Sequence, residues 1–100
     1  MKISIYGDLF MKADVFEEVI KRDLQLDKVE FKKTETTWPD DPFHNEFGEG
    51  DFSKIREYQG TKEGVIEAIG DSEILINHMA PISEEILKET PNLKFIGVSR

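Results

Sequence analysis

The chain has 100 residues, of which 38% are apolar, no cysteine, and a formal net charge of −8. That length allows one domain with its own core, and the lack of cysteine excludes disulfides and thiolate metal sites. The acidic charge argues against a nucleic-acid module or a protein bound to an anionic membrane. The first residues, MKISIYGDLF, turn polar too soon for a signal peptide, and no run approaches transmembrane length. We therefore expect a cytoplasmic protein that binds small molecules or other proteins.

Strands and helices alternate in the first part of the chain. Residues 2–6 predict a strand, and in the helix that follows Asp14 and Glu17 have the spacing of a capping box. The apolar residues of that helix recur at helical spacing: Phe16, Val19, Ile20 and Leu24. Residues 28–32 alternate in polarity, which predicts an edge strand with one face in water.

A long irregular segment is predicted for residues 36–50, followed by a short helix within 51–58. Six acids and no Lys or Arg lie between residues 34 and 53. His44 lies among these acids, but their spacing matches no calcium or zinc motif, so a solvated loop is preferred to a metal site. The segment contains four aromatic side chains: Trp38, Phe43, Phe47 and Phe52. They either line a ligand pocket or anchor the loop, and we prefer anchoring because it is the commoner role of such a set.

The alternation continues in the second half. Residues 61–69 predict a helix that ends at Gly70, with three apolar side chains turned inward: Val65, Ile66 and Ile69. Residues 74–76 are continuously apolar, which indicates a central strand. Ser83 is the predicted N-cap of the next helix. Two residues beside this cap stand at the positions of a hydrophobic staple: Ile82 and Leu87.

A last strand is predicted from Leu93 to about Val98, after Thr90-Pro91 ends the helix. Its apolar side chains predict a buried strand: Leu93, Phe95, Ile96 and Val98. No further element follows to cover this strand. Because an uncovered apolar edge pairs readily with another copy, we expect self-association, for example by strand exchange. The complete pattern predicts a three-layer α/β fold with a flavodoxin-like parallel sheet of order 2-1-3-4, truncated before the fifth strand.

In such sheets a ligand binds beyond the carboxyl ends of the strands, at the switch point between the first and third strands. Two loops meet there, residues 7–10 and residues 77–81. His78 is expected to donate a hydrogen bond to a substrate carboxylate or oxyanion, the alternative being a loop histidine exposed to water. It has no evident partner that would make it a general base, so binding is preferred to catalysis. The candidate substrate-binding residues are Gly7, Asp8, Asn77, His78, Met79 and Ala80.

Known nucleotide and phosphate motifs are missing from the sequence. It has neither GxGxxG nor GxxxxGK[ST], so no dinucleotide fingerprint and no P-loop is present. The first loop, GDLFMK, lacks the hydroxyl residues with which a flavodoxin holds the flavin phosphate. A signalling receiver domain needs an acidic pair after the first strand and an aspartate ending the third, where this chain has Asp8 and Asn77. Phosphoryl uptake at Asp8 would support that alternative.

The segment ILINHMAPISEEILKETPNLKFIGVSR, residues 74–100, resembles the D-isomer-specific 2-hydroxyacid dehydrogenases, the family that includes phosphoglycerate dehydrogenase. In that family a strand, a loop, a Thr- or Ser-capped helix and a P-x-L-K-x-I strand occur in this order near the end of the first lobe. Here the last of these is PNLKFI, residues 91–96. The opening MKISIYGD and the pattern WPDDP…YQG are similar to one bacterial, phosphoglycerate dehydrogenase-like branch.

This resemblance implies that residues 1–100 form the N-terminal part of the substrate-binding domain. It implies that Asn77 to Ala80 bind a small 2-hydroxy or 2-oxo acid, largely through backbone N–H groups. Many members have Arg-Ser-Gly-Thr where this chain has Asn-His-Met-Ala, which argues against a phosphorylated substrate. For the full-length relative the resemblance implies NAD, bound by an NAD-binding domain that is absent from this chain. The catalytic arginine, acid and histidine of the family are absent as well. Arg100 is not that arginine.

We therefore expect no cofactor in this chain and no dehydrogenase activity from it alone, an expectation that NAD-dependent turnover of any 2-oxo acid would contradict. The alternative is a self-sufficient flavodoxin-like module that binds a small molecule or a protein. A reading frame that continues past Arg100 into a GxGxxG motif would support the enzyme. A natural stop codon there would support the module.

Overall fold

The computed structural model describes residues 1–24 and 28–99. Arg100, and the side chain of Leu24 that was predicted to lie on an apolar helix face, are outside the described residues. Within these ranges no helix is both long and apolar enough to cross a membrane. The chain forms, in order, β1 (Lys2–Gly7), α1 (Ala13–Leu24), β2 (Glu30–Glu35), β3 (Phe43–His44), β4 (Tyr58–Gln59), α2 (Lys62–Ile69), β5 (Ile74–Asn77), α3 (Glu84–Glu89) and β6 (Phe95–Val98).

Four of these strands form a parallel sheet in the order β2-β1-β5-β6. Ile3 of β1 lies opposite Phe31 of β2 on one side and opposite Ile74 of β5 on the other. Ile74 in turn lies opposite Phe95 of β6. The predicted flavodoxin-like strand order is confirmed, with β2 at an edge and the apolar β5 in the centre.

Apolar clusters on both faces of the sheet make the fold a three-layer one. Ile3 and Ile5 of β1 point to one face, where they pack with Ala13 of α1. Tyr6, the residue after Ile5, points to the other face, into a cluster built mainly by α2, β5 and α3. Because alternate residues of a strand face opposite sides, β1 contributes to both clusters and lies between two helical layers.

The start of α1 differs from the predicted capping box. The helix begins at Ala13, whose N–H donates to Glu35 Oε1 of β2 at 2.7 Å. Asp14 and Glu17 instead form ion pairs with Lys33 Nζ, at 2.8 and 3.2 Å. The capping-box prediction was wrong because a carboxylate from a neighbouring strand, far away in sequence, caps this helix.

The predicted limits of the other two helices are confirmed. Thr61 Oγ1 accepts a hydrogen bond from the Gly64 N–H at 3.1 Å, and Ser83 Oγ accepts one from the Ile86 N–H at 3.3 Å. The first of these helices ends at Gly70, which has a positive φ of 54°. Its three predicted inward side chains all pack into the core: Val65, Ile66 and Ile69.

Several apolar side chains that were predicted to face inward are exposed. Helical spacing identifies a row of apolar residues but not the width of the face that a neighbour covers, and on α3 it is Ile86, not Leu87, that is buried. The staple prediction is therefore not supported. Of the last-strand residues that were predicted to be buried, Leu93 and Ile96 are half-buried against the core, whereas Phe95 and Val98 border no further strand in the described sheet. The exposed residues are Val19, Leu87, Phe95 and Val98.

The segment between β2 and α2, residues 36–61, is called the middle segment below. It contains structure that the sequence did not predict. Phe43 pairs with Gln59 and His44 with Tyr58 in a short antiparallel ribbon, β3–β4. In place of the predicted helix within residues 51–58, the chain forms one 3-10 turn at Gly50–Phe52. Two-residue strands are too short to show any hydrophobic period, which is why the pattern missed them.

Anchoring of this segment depends on fewer aromatic side chains than predicted. Phe52 packs against the core and meets Tyr58 edge to face, with ring centroids 5.3 Å apart. Trp38 and Phe47 are exposed, and Phe47 lies 5.5 Å from the guanidinium of Arg56. The prediction that all four aromatic residues anchor the loop was therefore wrong for two of them.

Candidate functional site

The two loops that were predicted to meet at the carboxyl edge of the sheet do so. Tyr6 and Asn77 are partners at the ends of β1 and β5, so the chain leaves the sheet at neighbouring points. It then passes to α1 on one face and to α3 on the other. His78 Nδ1 lies 2.8 Å from Asp8 Oδ2, which joins the two loops directly. This pair is the centre of the candidate site.

Asp8 is a buried carboxylate with partners on both oxygens. Its Oδ1 accepts hydrogen bonds from the N–H groups of Phe10 and Met11, both at 2.8 Å, while Oδ2 faces the His78 ring. Its own N–H donates to the Met11 carbonyl oxygen at 3.0 Å. The side chain is only 1% exposed. A phosphoacceptor needs an accessible carboxylate oxygen, so this geometry argues against the receiver-domain alternative.

His78 has the acidic partner that the sequence did not reveal. Because a carboxylate only accepts hydrogen bonds, the Nδ1–H of the ring donates to Asp8, and the lone pair of the neutral ring lies on Nε2. One fifth of the histidine side chain is exposed, so solvent and ligands reach it. The expectation that His78 lacks such a partner was wrong because the two residues are seventy positions apart.

Two of the predicted site residues belong to the framework. A Cβ on Gly7 would lie 2.6 Å from the Ala13 nitrogen and 2.7 Å from the Met11 oxygen, so the tight turn into α1 requires glycine here. Asn77 is 1% exposed, and its Nδ2 donates to the Gly97 carbonyl oxygen at 3.5 Å across the β5–β6 pair. Both residues shape the carboxyl edge, and substrate binding by either remains a prediction.

Met79 and Ala80 supply backbone donors next to His78. The Met79 carbonyl oxygen accepts the Gln59 N–H at 2.9 Å, which fixes the loop, and Ala80 packs into the apolar core. The N–H groups of Met79 and Ala80 make no hydrogen bond to any other residue among 1–24 and 28–99. Two adjacent N–H groups beside an imidazole form a suitable set of donors for a carboxylate or oxyanion.

Gln59 and Thr36 were missed by sequence reasoning. Both are buried, and Thr36 Oγ1 donates to Gln59 Oε1 at 2.7 Å, while the Thr36 N–H donates to the Gly7 carbonyl oxygen at 3.0 Å. Gln59 Nε2 donates to the carbonyl oxygen of Asp41. These bonds tie the ends of β1, β2 and β4 together. The position of Thr36, directly after a strand of the parallel sheet, is the signal that could have placed it at this edge.

An apolar cleft of about 520 Å³ opens beside the Asp8–His78 pair. It begins one residue beyond Asp8 and reaches β4, so it borders both the first loop and the middle segment. Trp38, which does not anchor that segment, lies on the wall of this cleft. Its lining residues are Leu9, Phe10, Trp38, Phe43 and Gln59.

Tyr6 lies at the end of β1, on the face of the sheet opposite α1. Burial, and to a lesser extent the negative charge of Asp41, raise the pKa of Tyr6 to about 12. Both causes disfavour the phenolate, so Tyr6 is neutral at physiological pH. The carboxyl edge of the sheet therefore contains a neutral phenol at the end of β1.

Neither a metal ion nor NAD fits the described residues. His44 stacks on Tyr58 with ring centroids 4.7 Å apart, and no three His, Asp or Glu side chains in ranges 1–24 and 28–99 are placed to hold a metal. A dinucleotide phosphate needs backbone N–H groups after β1. Here the N–H groups of Phe10 and Met11 already donate to Asp8. The first loop is thus not a phosphate cradle.

Comparison of the chain with family models, curated proteins and solved structures gave no match. The resemblance to 2-hydroxyacid dehydrogenases therefore rests on the pattern of the sequence. The fold and the site geometry are independent of that resemblance.

Proposed function

We propose that this chain is the N-terminal part of the substrate-binding domain of an NAD-dependent 2-hydroxyacid dehydrogenase. Its role is to bind a small 2-hydroxy or 2-oxo acid at the carboxyl edge of the sheet. The observation that carries the proposal is the Asp8–His78 pair, formed at the switch point between β1 and β5. The sequence pattern that resembles this family predicts substrate binding by the same loop.

The chemistry of the pair suits an acid ligand. Asp8 accepts the Nδ1–H and so orients the imidazole, and a ring that also carries a proton on Nε2 donates a charged hydrogen bond to a ligand carboxylate. The N–H groups of Met79 and Ala80 supply two further donors for the carboxylate or for the 2-oxygen of the ligand. No step of hydride transfer is assigned to this chain, since none of its described residues fits the cofactor. We assign His78 to binding for this reason, although it has the partner that a general base needs.

The other parts of the proposal follow from the resemblance. NAD would bind to a separate NAD-binding domain, which would also supply the catalytic arginine, acid and histidine. The complete lack of cysteine is in keeping with a reducing cytoplasm. A stand-alone binding module would use the same edge of the sheet for a small molecule, without a cofactor domain.

Binding of pyruvate, the simplest 2-oxo acid, to the 15N-labelled 100-residue chain tests the acid site. We expect pyruvate to shift the N–H resonances of Met79 and Ala80, while its neutral amide does not. The variant His78→Gln is expected to bind pyruvate about tenfold more weakly, the loss typical of a charged hydrogen bond.

The matched control is His44→Gln, because His44 stacks on Tyr58 and is not bonded to Asp8. It should leave the affinity for pyruvate unchanged. Equal affinities of wild type and His78→Gln, or shifts confined to residues outside the two loops, would refute the proposed acid site.

A further inference from the structure

The cleft beside the Asp8–His78 pair has the size and shape of a ligand site. Its volume of about 520 Å³ lies within the roughly 300–1,000 Å³ that is usual for small-molecule pockets. Phe10 and Trp38 on its wall are 80% and 61% exposed. Large apolar side chains that remain exposed around a concavity mark a binding surface more often than a neutral part of the protein surface.

Residues on two sides of the cleft adjoin the proposed acid site in the chain or by a hydrogen bond. Leu9 and Phe10 follow Asp8 in the chain, and the Phe10 N–H donates to Asp8 Oδ1. On the opposite side, the N–H of Gln59 donates to the carbonyl oxygen of Met79, the residue after His78. A ligand whose carboxylate contacts the imidazole therefore has the cleft available for the rest of its structure.

The wall of the cleft selects against polar substituents. Four of its five lining residues have hydrocarbon or aromatic side chains, and none is a lysine or arginine. The fifth, Gln59, uses its side-chain oxygen for Thr36 and its nitrogen for Asp41. A phosphate placed here would lose water without meeting a cation, whereas a hydrocarbon group would lose only unfavourable contact with water.

We infer that this cleft holds the substituent of the substrate, and that the acid bound by this chain has a branched aliphatic or aromatic side chain. The inference rests on the proposed function for the carboxylate end of the ligand. It assigns the middle segment, through Trp38 and Phe43, to substrate selection. A phosphorylated acid is excluded by the same argument.

Three ligands separate the contribution of the cleft from that of the acid site. Pyruvate has the acid group without a large substituent, 4-methyl-2-oxopentanoate has both, and 4-methyl-2-pentanone has the isobutyl group without the acid. Trp38 is the single tryptophan of the chain, so its indole N–H resonance reports the cleft directly. We expect the isobutyl acid to bind about 60-fold more tightly than pyruvate, the factor typical of burying about three more hydrocarbon groups.

Phe10→Ala is the informative variant, because a side chain that is 80% exposed contributes little to folding. It should lower the affinity for the isobutyl acid by about fivefold and leave that for pyruvate unchanged. Phe47→Ala is the matched control, since Phe47 is an exposed aromatic residue of the same segment that lies against Arg56 and does not line the cleft. It should change neither affinity.

The outcomes are distinct. Equal affinities for pyruvate and the isobutyl acid would overturn the inference and leave the acid site standing. Shifts of the Trp38 resonance by the ketone, with no gain from the acid group, would refute the proposed function while supporting a hydrocarbon site. A Trp38 resonance that moves only with protein concentration would show that a second copy covers the cleft, and would also overturn the inference.

Discussion

At the scale of single residues, Tyr6 and Gly60 show how closely the carboxyl edge is packed. Tyr6 is buried, and a Cβ on Gly60 would overlap its hydroxyl oxygen. Gly60 also has a positive φ of 115°, a conformation that other residues rarely adopt. The YQG sequence at residues 58–60 thus combines a strand residue, a buried amide and a glycine that makes room for Tyr6.

The raised pKa of Tyr6 predicts a loss of stability at alkaline pH. Its pKa is about 12 in the folded chain and 10.0 in its ordinary state, so folding favours the neutral phenol. Stability from this group is fully present below pH 10.0 and is lost as the pH rises towards about 12. We expect the free energy of unfolding of Tyr6→Phe to fall less than that of wild type over this pH range. Urea unfolding of wild type and Tyr6→Phe at several pH values in the range measures the difference.

Lysines with raised pKa values, such as Lys2 and Lys33, also lose stabilising charge at alkaline pH, but they do so in both proteins. The difference between the two free energies of unfolding therefore isolates Tyr6. A difference that stays constant from pH 10.0 to about 12 would contradict the expected burial of a neutral phenol.

At the scale of elements, the N-caps of α2 and α3 differ in their surroundings. Thr61 caps α2 with a single hydrogen bond to the Gly64 N–H. Ser83 caps α3, and its hydroxyl also donates to Asp51 Oδ2 in the 3-10 turn. Ser83 therefore connects a helix to the middle segment, in addition to satisfying a backbone donor.

Removing the two hydroxyls should distinguish a simple cap from a shared one. Thr61→Ala is expected to lower the free energy of unfolding by about 1 kcal/mol, the usual value for an N-cap. Ser83→Ala should lower it by about 2 kcal/mol, because the partly buried Asp51 carboxylate also loses a donor. Urea denaturation of each variant measures the change. Ser53→Ala, at an exposed serine, is the control and should have no effect.

Equal losses for Thr61→Ala and Ser83→Ala would show that the bond to Asp51 adds nothing to stability. A larger loss for Thr61→Ala would reverse the expected order and contradict the shared-cap interpretation.

At the scale of the whole molecule, β6 is an exposed edge. It pairs with β5 on one side, and in the described sheet no strand lies on its other side. Phe95 and Val98 are both more than half exposed. An apolar strand with unpaired backbone groups is a template for another copy or another domain. The expected self-association thus depends on this edge.

We expect the 100-residue chain to associate as its concentration rises, and Val98→Lys to reduce that association. A lysine on an edge strand opposes pairing because its charge would have to be buried against the second copy. Sedimentation equilibrium over a range of concentrations measures both proteins. Leu87→Lys, at an exposed apolar position on α3, is the control and should associate like wild type.

A wild-type chain that stays monomeric at every concentration would contradict the prediction. Equal effects of Val98→Lys and Leu87→Lys would instead show that the added charge, and not the edge of β6, prevents association.

Much of the fold could be predicted because its signals are local. The apolar run at 74–76, the cap at Ser83, and the alternation of strands and helices depend on neighbouring residues. Parallel strands joined by helices then leave few topologies, and the flavodoxin-like order was one of them. The capping box at Asp14 failed for the opposite reason, since the residue that caps α1 comes from β2.

The sequence by itself determined the strand order, the limits of two helices and the two loops that meet at the carboxyl edge. Only the tertiary structure decided that Asp8 is the partner of His78, and that Trp38 lies on the wall of a cleft instead of anchoring a loop. The physical reason is distance along the chain. Periodicity and caps act within a few residues, whereas a hydrogen bond or a cleft depends on side chains that only folding brings together.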